Sequence, residues 1–500
     1  MVLTTDDLVF YKRCPRRVFL ERYGDRSRRE PVSGFVRKLQ RDGTDYRRQV
    51  IGELSAGKTV EWVNIPGRDW EQKSAETLRL MEAGVPLIAR GVLMKAAGDD
   101  STPWVGTPHL LVREPEPSWL GDWSYRPVDI RLGKRPKLEY QMAATFHVVL
   151  LEAIQGTPVK YAEILLRGRS PHRVDLFTRR SQLLDLCQDA EQALTGTTPP
   201  DYFISRSRCS LCPWLSQCHS QAHQEQHLSL IPSVTPTRYR VLESLGITDL
   251  GGIVAADPKV LEQYSELANG GVRNLINQAR SCQEKRPIPR HKEVWNDLQR
   301  FPKSSVELHY DIEAEPERSV DYLHGVLVVK RDLQRRVISE EFHSFWAETP
   351  EEEESAWNRF IEFIEQYPNA PIYHFCEYEP STLRKLGKRY DTAPKRVAKL
   401  RDRCVDLHAW VTNLFFLPVE GYALKQIAAY LGFSWRDSTA NGSQAVFWYD
   451  QWLETGDRNL LQTIEMYNED DCWATYHIAQ WLEELALEDE QEERAIAETA

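Results

Sequence analysis

The clearest hydrophobic pattern in the chain is a strict alternation over residues 306–313, VELHYDIE. Alternation with a period of two predicts a β-strand that turns Leu308 and Tyr310 to one face. The opposite face then carries Asp311 and Glu313, so two carboxylates project together from one strand, as in a metal site. The alternative is a strand whose polar face is simply solvated.

A helical pattern near the C-terminus supplies complementary groups. Residues 460–487 have the periodicity of a long helix and contain YNEDD at residues 467–471. Tyr467 and Asp471 are four residues apart, so they lie on one face of that helix, one turn apart. A phenol and a carboxylate can therefore reach the same site.

The segments between these two elements predict an α/β domain. Residues 322–329 and 336–344 are β-rich runs separated by a polar turn, as in a meander. A short buried strand is predicted over residues 370–375, and a helix is predicted to begin at Ser381. Glu379 lies in the turn between them.

Asp-x-Glu on a strand, followed by Tyr-x-x-x-Asp on a distant helix, resembles the tyrosine-type DEDD exonucleases of the ribonuclease H-like fold. The resemblance implies a further acidic ligand near Tyr378, which Glu379 matches with one extra methylene, while Glu377 and Asp406 remain alternatives. It also implies two-metal hydrolysis of phosphodiester bonds from a 3′ end, with Mg²⁺ or Mn²⁺ as the cofactor. The implied catalytic residues are Asp311, Glu313, Glu379, Tyr467 and Asp471.

Length and hydropathy narrow the class of protein. Five hundred residues exceed what one hydrophobic core usually serves, so two or three domains are expected. No apolar run approaches the roughly 18 residues of a membrane span, and the N-terminal residues lack the apolar core of a signal peptide. We therefore expect a cytoplasmic protein without a membrane partner.

The net charge of -11 argues against nucleic-acid binding until the distribution of charge along the chain is counted. Residues 1–50 hold thirteen Lys or Arg against seven Asp or Glu, whereas residues 451–500 hold two against fourteen. A basic N-terminal region can follow phosphates, so nucleic acid remains the expected partner. Residues 489–500 are predicted to form an acidic tail.

The nine cysteines suit metal ligation better than a disulfide framework. Cys209, Cys212 and Cys218 are spaced by two and five residues, and Cys14 is the obvious fourth thiolate. Four thiolates bind Zn²⁺ or an iron–sulfur cluster, and the spacing alone does not separate the two.

An early cysteine joined to a late Cys-x2-Cys-x5-Cys resembles the iron–sulfur staple of RecB-like nucleases. The resemblance implies a [4Fe–4S] cluster and a PD-(D/E)XK fold over residues 1–225. Asp129 and Arg131, followed by a helix that opens with Gln141, match the strand and helix of that nuclease signature.

The N-terminal match departs from the family at the catalytic positions. Arg131 replaces the lysine that assists the attacking water, and it stays protonated. His109 stands where an acidic metal ligand is expected, and Lys134 is the one residue that could restore the lysine role. We therefore expect this vestigial site to bind nucleic acid without cutting it.

Residues 226–300 are predicted to form a helical linker that loosely resembles a helix-hairpin-helix. Residues 301–488 are predicted to form the ribonuclease H-like domain. Both halves together resemble RecB-like nucleases fused to a ribonuclease H-like exonuclease domain. The function implied is 3′–5′ cleavage of a single-stranded end. The alternatives are a non-catalytic nucleic-acid clamp and a nuclease acting through the RecB-like domain, and the sequence leaves open DNA or RNA and any helicase or repair partner.

Overall fold

The computed structural model describes residues 2–95 and 102–499, with side chains as far as residue 487 in the last helix. The chain divides into two compact units, an N-terminal unit (Met1–Gln221) and a C-terminal unit (Ala222–Ala500). Both contain helices and mixed sheets. The prediction of an α/β chain with more than one domain is therefore confirmed.

Short strands alternate with helices in the described part of the N-terminal unit. The strands are β1 (Leu3–Thr4), β2 (Val60–Trp62), β3 (Leu87–Ala89), β4 (Leu93–Lys95), β5 (Trp104–Gly106), β6 (Leu110–Glu114), β7 (Ser124–Arg131), β8 (Glu163–Leu166) and β9 (His172–Arg173). The helices are α1 (Thr5–Arg13), α2 (Pro15–Tyr23), α3 (Gly34–Leu54), α4 (Trp70–Glu82), α5 (Leu138–Gln155), α6 (Leu176–Thr195) and α7 (Leu215–Gln224), in which the division falls. A 3₁₀ turn covers Arg26–Arg28.

A sheet and one buried helix organise the N-terminal unit. Within the described residues the larger sheet has the order β2-β3-β6-β7-β8-β9, and a smaller one has the order β1-β5-β4. Helix α5 packs on β7, and Phe146, Val148 and Leu150 of α5 are fully buried. A helix that is apolar on nearly every side is typical of one enclosed by its own domain. The strand predicted around Asp129 is present as β7, and the helix predicted to open with Gln141 is α5, which begins three residues earlier at Leu138.

The C-terminal unit begins with short helices and continues as an α/β domain. Its helices are α8 (Pro236–Ser244), α9 (Leu250–Ala255), α10 (Pro258–Leu261), α11 (Ser265–Ala268), α12 (Val272–Glu284), α13 (Val294–Leu298), α14 (Glu353–Ile364), α15 (Tyr378–Arg389), α16 (Pro394–Arg401), α17 (Leu407–Leu414), α18 (Leu424–Tyr430), α19 (Gly442–Thr455) and α20 (Arg458–Thr499). Its strands are β10 (Ile288–Pro289), β11 (Val306–Glu315), β12 (Val320–Arg331), β13 (Val337–Trp346), β14 (Ile372–His374), β15 (Cys404–Asp406) and β16 (Phe415–Phe416). Two 3₁₀ turns cover Leu228–Leu230 and Pro350–Glu352.

The main sheet of this unit is covered on both faces. Its order across the described strands is β13-β12-β11-β14-β15, with β11 antiparallel to β12 and parallel to β14. On one face Tyr310 stacks on Phe360 of α14, with 4.8 Å between ring centroids, and packs with Trp357. On the other face Leu327 packs with Cys472 of α20. The meander is confirmed as β11-β12-β13.

The polar face of β11 lies beneath α20 instead of facing water. Glu307 is 3% exposed, His309 is fully buried and Glu313 is 6% exposed. The alternative of a solvated strand face is therefore wrong, because α20 packs directly on β11.

Other boundaries depart from the sequence prediction. Helix α15 begins at Tyr378 rather than at Ser381, so Glu379 lies in its first turn. Residues 226–300, the predicted linker, form α8 to α13 within the C-terminal unit, and β10 pairs with β16. The predicted acidic tail, residues 489–500, falls where side chains lie outside the described residues. Among the helices of the described residues, none is both long enough and apolar enough to cross a membrane.

Candidate active site

Strand β11 and helix α20 bring three carboxylates to one point. One oxygen each from Asp311, Glu313 and Asp471 lies within 4.8 Å of the others. The ladder between β11 and β12 shifts register between Glu313 and Ala314, so β11 becomes irregular directly after its second acid. The two sequence pairs, one on the strand and one on the helix, thus meet in the fold.

Crowding of these buried acids disfavours their ionisation. Burial, followed by the charges of Asp471 and Glu313, raises the pKa of Asp311 well above its usual range. Burial and Asp471 do the same to the pKa of Glu313. Burial raises the pKa of Asp471 to about 6, although hydrogen bonds from Trp435 and Tyr467 oppose the shift. A bound cation would relieve this repulsion.

Hydrogen-bond donors hold the Asp471 carboxylate in place. The indole Nε1 of Trp435 donates to Oδ1 of Asp471 at 2.7 Å. The neighbouring Arg436 fastens this loop to α20, because its Nε donates to Asp470 Oδ1 at 2.7 Å and its Nη2 to Glu469 Oε2 at 2.7 Å. No periodicity or spacing distinguishes Trp435 in the sequence.

Tyr467 remains a phenol at this site. Burial and the charges of Asp471, Glu313 and Asp311 raise its pKa far above the ordinary value of 10.0. A protonated hydroxyl can orient a water molecule but cannot remove a proton from it. The structure therefore gives Tyr467 an orienting capacity only.

Asn468 supports the first acid of the strand, and sequence reasoning missed it. Its Nδ2 donates to Asp311 Oδ2 at 2.7 Å. Gly325 of β12 lies opposite Asp311 in the ladder, and a Cβ built there would lie 1.8 Å from Asn468 Oδ1. The glycine therefore makes room for the amide to reach the carboxylate.

Lys425 of α18 adds a cation beside the acids. Its Nζ lies 5.1 Å from the ring centroid of Trp435 and 5.3 Å from that of Tyr467. Burial lowers its pKa, while Asp471 opposes the shift. An amino group in this position favours the ionised form of the carboxylates.

The next acidic position has three candidate carboxylates, and the structure gives them different surroundings. Glu379 is 4% exposed, its Oε2 lies 3.4 Å from His374 Nδ1, and burial raises its pKa. Glu377 has a side chain that is 75% exposed. Asp406 caps α17 by accepting the Ala409 N–H at 3.2 Å.

Glu379 is therefore the buried acid of the three, and its charge acts on Asp311. It stands outside the group of oxygens that meet within 4.8 Å. The donors at this site are all carboxylate oxygens, the ligand type that Mg²⁺ and Mn²⁺ prefer. The residues present therefore fit a hard divalent metal.

Basic side chains surround Asp129 in the N-terminal unit. Its two oxygens lie 3.0 Å from His109 Nδ1 and 3.2 Å from His147 Nδ1, and Arg131 Nη2 is 3.6 Å away. Burial would raise the pKa of Asp129, but His147, Arg131 and His109 outweigh it and hold the pKa well below its usual range. Among the described residues, no metal-binding group of three ligands includes Asp129.

Gln141 is engaged elsewhere in this region. Its Nε2 donates to the carbonyl of Pro136 at 2.8 Å, and its Oε1 accepts from Arg179 Nε at 3.0 Å. The predicted vestigial site therefore gathers one acid, two imidazoles and a guanidinium at Asp129, a donor set that does not fit a hard divalent metal.

The four predicted cysteine ligands line one cavity. Cys14 lies between α1 and α2, and it shares the cavity with Cys209, Cys212 and Cys218. Burial raises the pKa of the last three thiols, that of Cys218 to about 11. Trp214 packs against Cys212 and Cys218. Within the described residues, no three of these sulfurs lie within 4.8 Å of one another.

Comparison with known proteins identifies one part of the chain. A family model, RNase_H_2 of the RNase_H superfamily, matches residues 308–483. None of the curated proteins matches the chain. The matched segment begins in β11 and ends in α20, so it contains both acidic pairs. The predicted ribonuclease H-like domain is thereby confirmed, and such a domain indicates a nuclease-type phosphodiester hydrolase that binds nucleic acid.

Proposed function

We propose that the C-terminal unit is a metal-dependent 3′–5′ exonuclease that cleaves a single-stranded DNA or RNA end. The observation that carries this proposal is the convergence of Asp311, Glu313 and Asp471, whose oxygens lie within 4.8 Å of one another. Burial and mutual repulsion raise the pKa of all three acids even though Lys425 lies beside Asp471, so a bound divalent cation would relieve repulsion that remains in the fold. Exonuclease direction follows from the resemblance to tyrosine-type DEDD enzymes.

The acids would hold the metal cofactor, with Glu379 as the additional ligand. Bound Mg²⁺ or Mn²⁺ supplies Lewis-acid stabilisation of the charge that develops on the scissile phosphate. Asn468 fixes Oδ2 of Asp311, and the Trp435 indole fixes Oδ1 of Asp471. These two hydrogen bonds fix the orientation of the two carboxylates that would hold the cation.

Tyr467 would orient the attacking water through its protonated hydroxyl. The rings of Tyr467 and Trp435 flank Lys425 of α18. The ammonium group of Lys425 would stabilise the negative charge that develops on the scissile phosphate. These groups would act by position and by charge.

The test is a cleavage assay on short single strands labelled at either end, with Mn²⁺ and with DNA and RNA compared. We expect Asp311→Ala to lower the rate by several orders of magnitude, because a metal ligand is lost. Asp129→Ala should leave the rate nearly unchanged, since the basic surroundings of Asp129 do not suit a metal.

Other outcomes reject the proposal. Loss of turnover in Asp129→Ala with full activity in Asp311→Ala would place the active site in the N-terminal unit. Release of monophosphates from the 5′ end would refute the direction. Intact binding without cleavage by the wild type, under all metal conditions, would favour a non-catalytic clamp.

The cysteine cavity is proposed to hold a [4Fe–4S] cluster within a RecB-like fold. Cys14, Cys209, Cys212 and Cys218 line one cavity, which supports a shared metal centre. Four thiolates can bind Zn²⁺ or an iron–sulfur cluster. The resemblance to RecB-like nucleases favours the cluster.

Anaerobic purification tests this assignment. The protein should be brown, with broad absorption near about 400 nm from thiolate-to-iron charge transfer. Colourless protein that holds stoichiometric zinc would replace the cluster by a zinc staple.

A further inference from the structure

The described residues of the N-terminal unit form a cleft of about 870 Å³ beside the cysteine cavity. Its basic lining residues are Lys12, Arg13, Arg17, Arg47, Lys137 and Arg208. Glu139 is the acidic residue that lines it, again among the described residues. In a chain of net charge -11, this is a local reversal of sign.

Much of this positive charge has no carboxylate to balance it. Arg13 pairs with Glu139 at 3.1 Å. In the part of the chain that the structure describes, no carboxylate lies within 4.0 Å of the side-chain nitrogens of Lys12, Lys137 or Arg208. All three side chains are exposed. Exposed, unbalanced cations around a concave surface raise the local concentration of anions.

Arg47, a lining residue of the cleft, lies close enough to other cations to be repelled by them. Burial lowers the pKa of Arg47, and the charges of Arg131 and Arg90 lower it further. An anion bound there would relieve the repulsion. Tyr140, which lines the cleft, stacks under Arg131 with 4.9 Å from the guanidinium carbon to the ring centroid. Cations spread over an extended surface that includes aromatic rings are typical of single-strand binding.

We propose that this basic cleft binds the phosphodiester backbone of a single-stranded polynucleotide without cleaving it. It is a second nucleic-acid site, separate from the acids of the C-terminal unit. Lys12, Lys137 and Arg208 contact phosphates near the surface, and Arg47 contacts a phosphate deeper in the cleft. The cleft therefore retains a strand, whichever unit performs chemistry on it.

A polynucleotide suits these residues better than an acidic protein does. Arginine forks match the paired oxygens of a phosphate, and the cations are distributed over a long lining instead of forming one pocket. The confirmed ribonuclease H-like domain in the same chain also indicates nucleic acid as the partner class.

The test is binding of fluorescein-labelled single strands to the full-length protein in EDTA, which stops metal-dependent cleavage and makes the result independent of the proposed exonuclease activity. The cleft variant is Lys12→Glu with Lys137→Glu. Its matched control is Lys58→Glu with Arg68→Glu, which changes the net charge equally at exposed positions of the same unit outside the cleft. A Lys12→Gln, Lys137→Gln variant adds a milder change.

We expect the cleft reversal to weaken binding at low salt at least about tenfold and to reduce the salt slope by about 1.4, as expected for two lost contacts with a single strand. The glutamine variant should show part of this loss, and the control should stay within about twofold of the wild type. Circular dichroism should show all variants folded, since every substituted side chain is exposed.

Equal weakening by the cleft variant and the control would overturn the proposal, because a general charge effect would explain it. Polyglutamate that competes as well as the oligonucleotide would assign the cleft to an acidic protein. Tighter binding of duplex than of single strand would refute the single-strand assignment. DNA and RNA strands are compared in parallel, and charge-sensitive binding of either one supports the proposal.

Discussion

Asp471→Asn should stabilise the metal-free protein while it abolishes cleavage. The wild-type carboxyl is buried beside two other acids, so its ionisation in the folded state is unfavourable. An amide keeps the side-chain shape and an oxygen that can accept from the Trp435 indole, now 2.7 Å from Oδ1. The substitution therefore removes a charge with little loss of contact.

The size of the effect follows from the carboxyl pKa. Burial raises the pKa of Asp471 to about 6 from an ordinary value of 3.8. At about pH 8, where both the folded and the unfolded carboxyl ionise, this difference lowers the free energy of unfolding by at most about 3 kcal/mol. The variant should recover much of that amount.

Because folding raises the pKa of Asp471, the free energy of unfolding also depends on pH. A carboxyl whose pKa is raised by folding contributes stability that is complete below the unfolded value of 3.8 and is lost as the pH rises through about 6. The metal-free wild type should therefore lose stability over this interval. At about pH 4 the wild type and Asp471→Asn should differ little, because the wild-type carboxyl is then largely protonated in the fold.

Thermal unfolding in EDTA measures the difference. For a domain of this size, a gain of about 3 kcal/mol in the free energy of unfolding corresponds to a rise in melting temperature of roughly 6 to 12 °C. This rise is an upper limit, because the gain of about 3 kcal/mol is itself an upper limit. Saturating Mn²⁺ should raise the melting temperature of the wild type more than that of the variant, because the variant lacks one ligand. The difference in melting temperature between the variant and the wild type should then become smaller or change sign.

Two results would refute this reasoning. One is a variant that is less stable than the wild type in EDTA at about pH 8, since the Asp471 carboxylate would then be a net stabilising group. The other is an equal stabilisation at about pH 4 and about pH 8, which would mean that charge is not the cause.

Further substitutions test individual contacts. Gly325→Ala should lower the cleavage rate at least about tenfold and destabilise the unit by about 1 to 3 kcal/mol, measured by kinetics and urea unfolding, because a Cβ meets Asn468. Tyr467→Phe should lower kcat roughly ten- to a hundredfold with unchanged Mn²⁺ affinity, since a hydrogen bond and no ligand is lost. Glu379→Asp should weaken Mn²⁺ binding in calorimetry, whereas Glu377→Asp, at an exposed site, should not. Cys14→Ser should remove the brown colour and lower the melting temperature, because the ligand closes a long loop.

Local patterns were enough to predict the acids that meet in the C-terminal unit. Alternation placed Asp311 and Glu313 on one face of β11, and helical spacing paired Tyr467 with Asp471. Both relations depend on residues a few positions apart, where strand and helix periodicities apply directly. Their convergence followed from a family resemblance, because sequence spacing does not determine which helix covers a strand.

The supporting donors could not be predicted in the same way. Trp435 reaches Asp471 from a loop, and Asn468 of α20 reaches Asp311 on the strand beneath it, so neither contact has a periodic signal. The role of Gly325 depends on the close approach of α20 to β12. The sequence alone does not predict which two elements pack this closely. Glu379 was predicted in a turn, but α15 begins earlier and places it in a buried first turn.

The supporting groups share one chemical property that explains their types. Trp435 and Asn468 donate N–H groups to the acids and Tyr467 donates an O–H, while Lys425 adds a positive charge nearby. Each donor favours the ionised carboxylate, whereas burial and mutual repulsion favour the protonated one. The balance leaves Asp471 with a pKa of about 6, so it is mostly ionised at neutral pH. A divalent cation can then bind without first displacing a proton from that ligand, while the remaining repulsion still favours its binding.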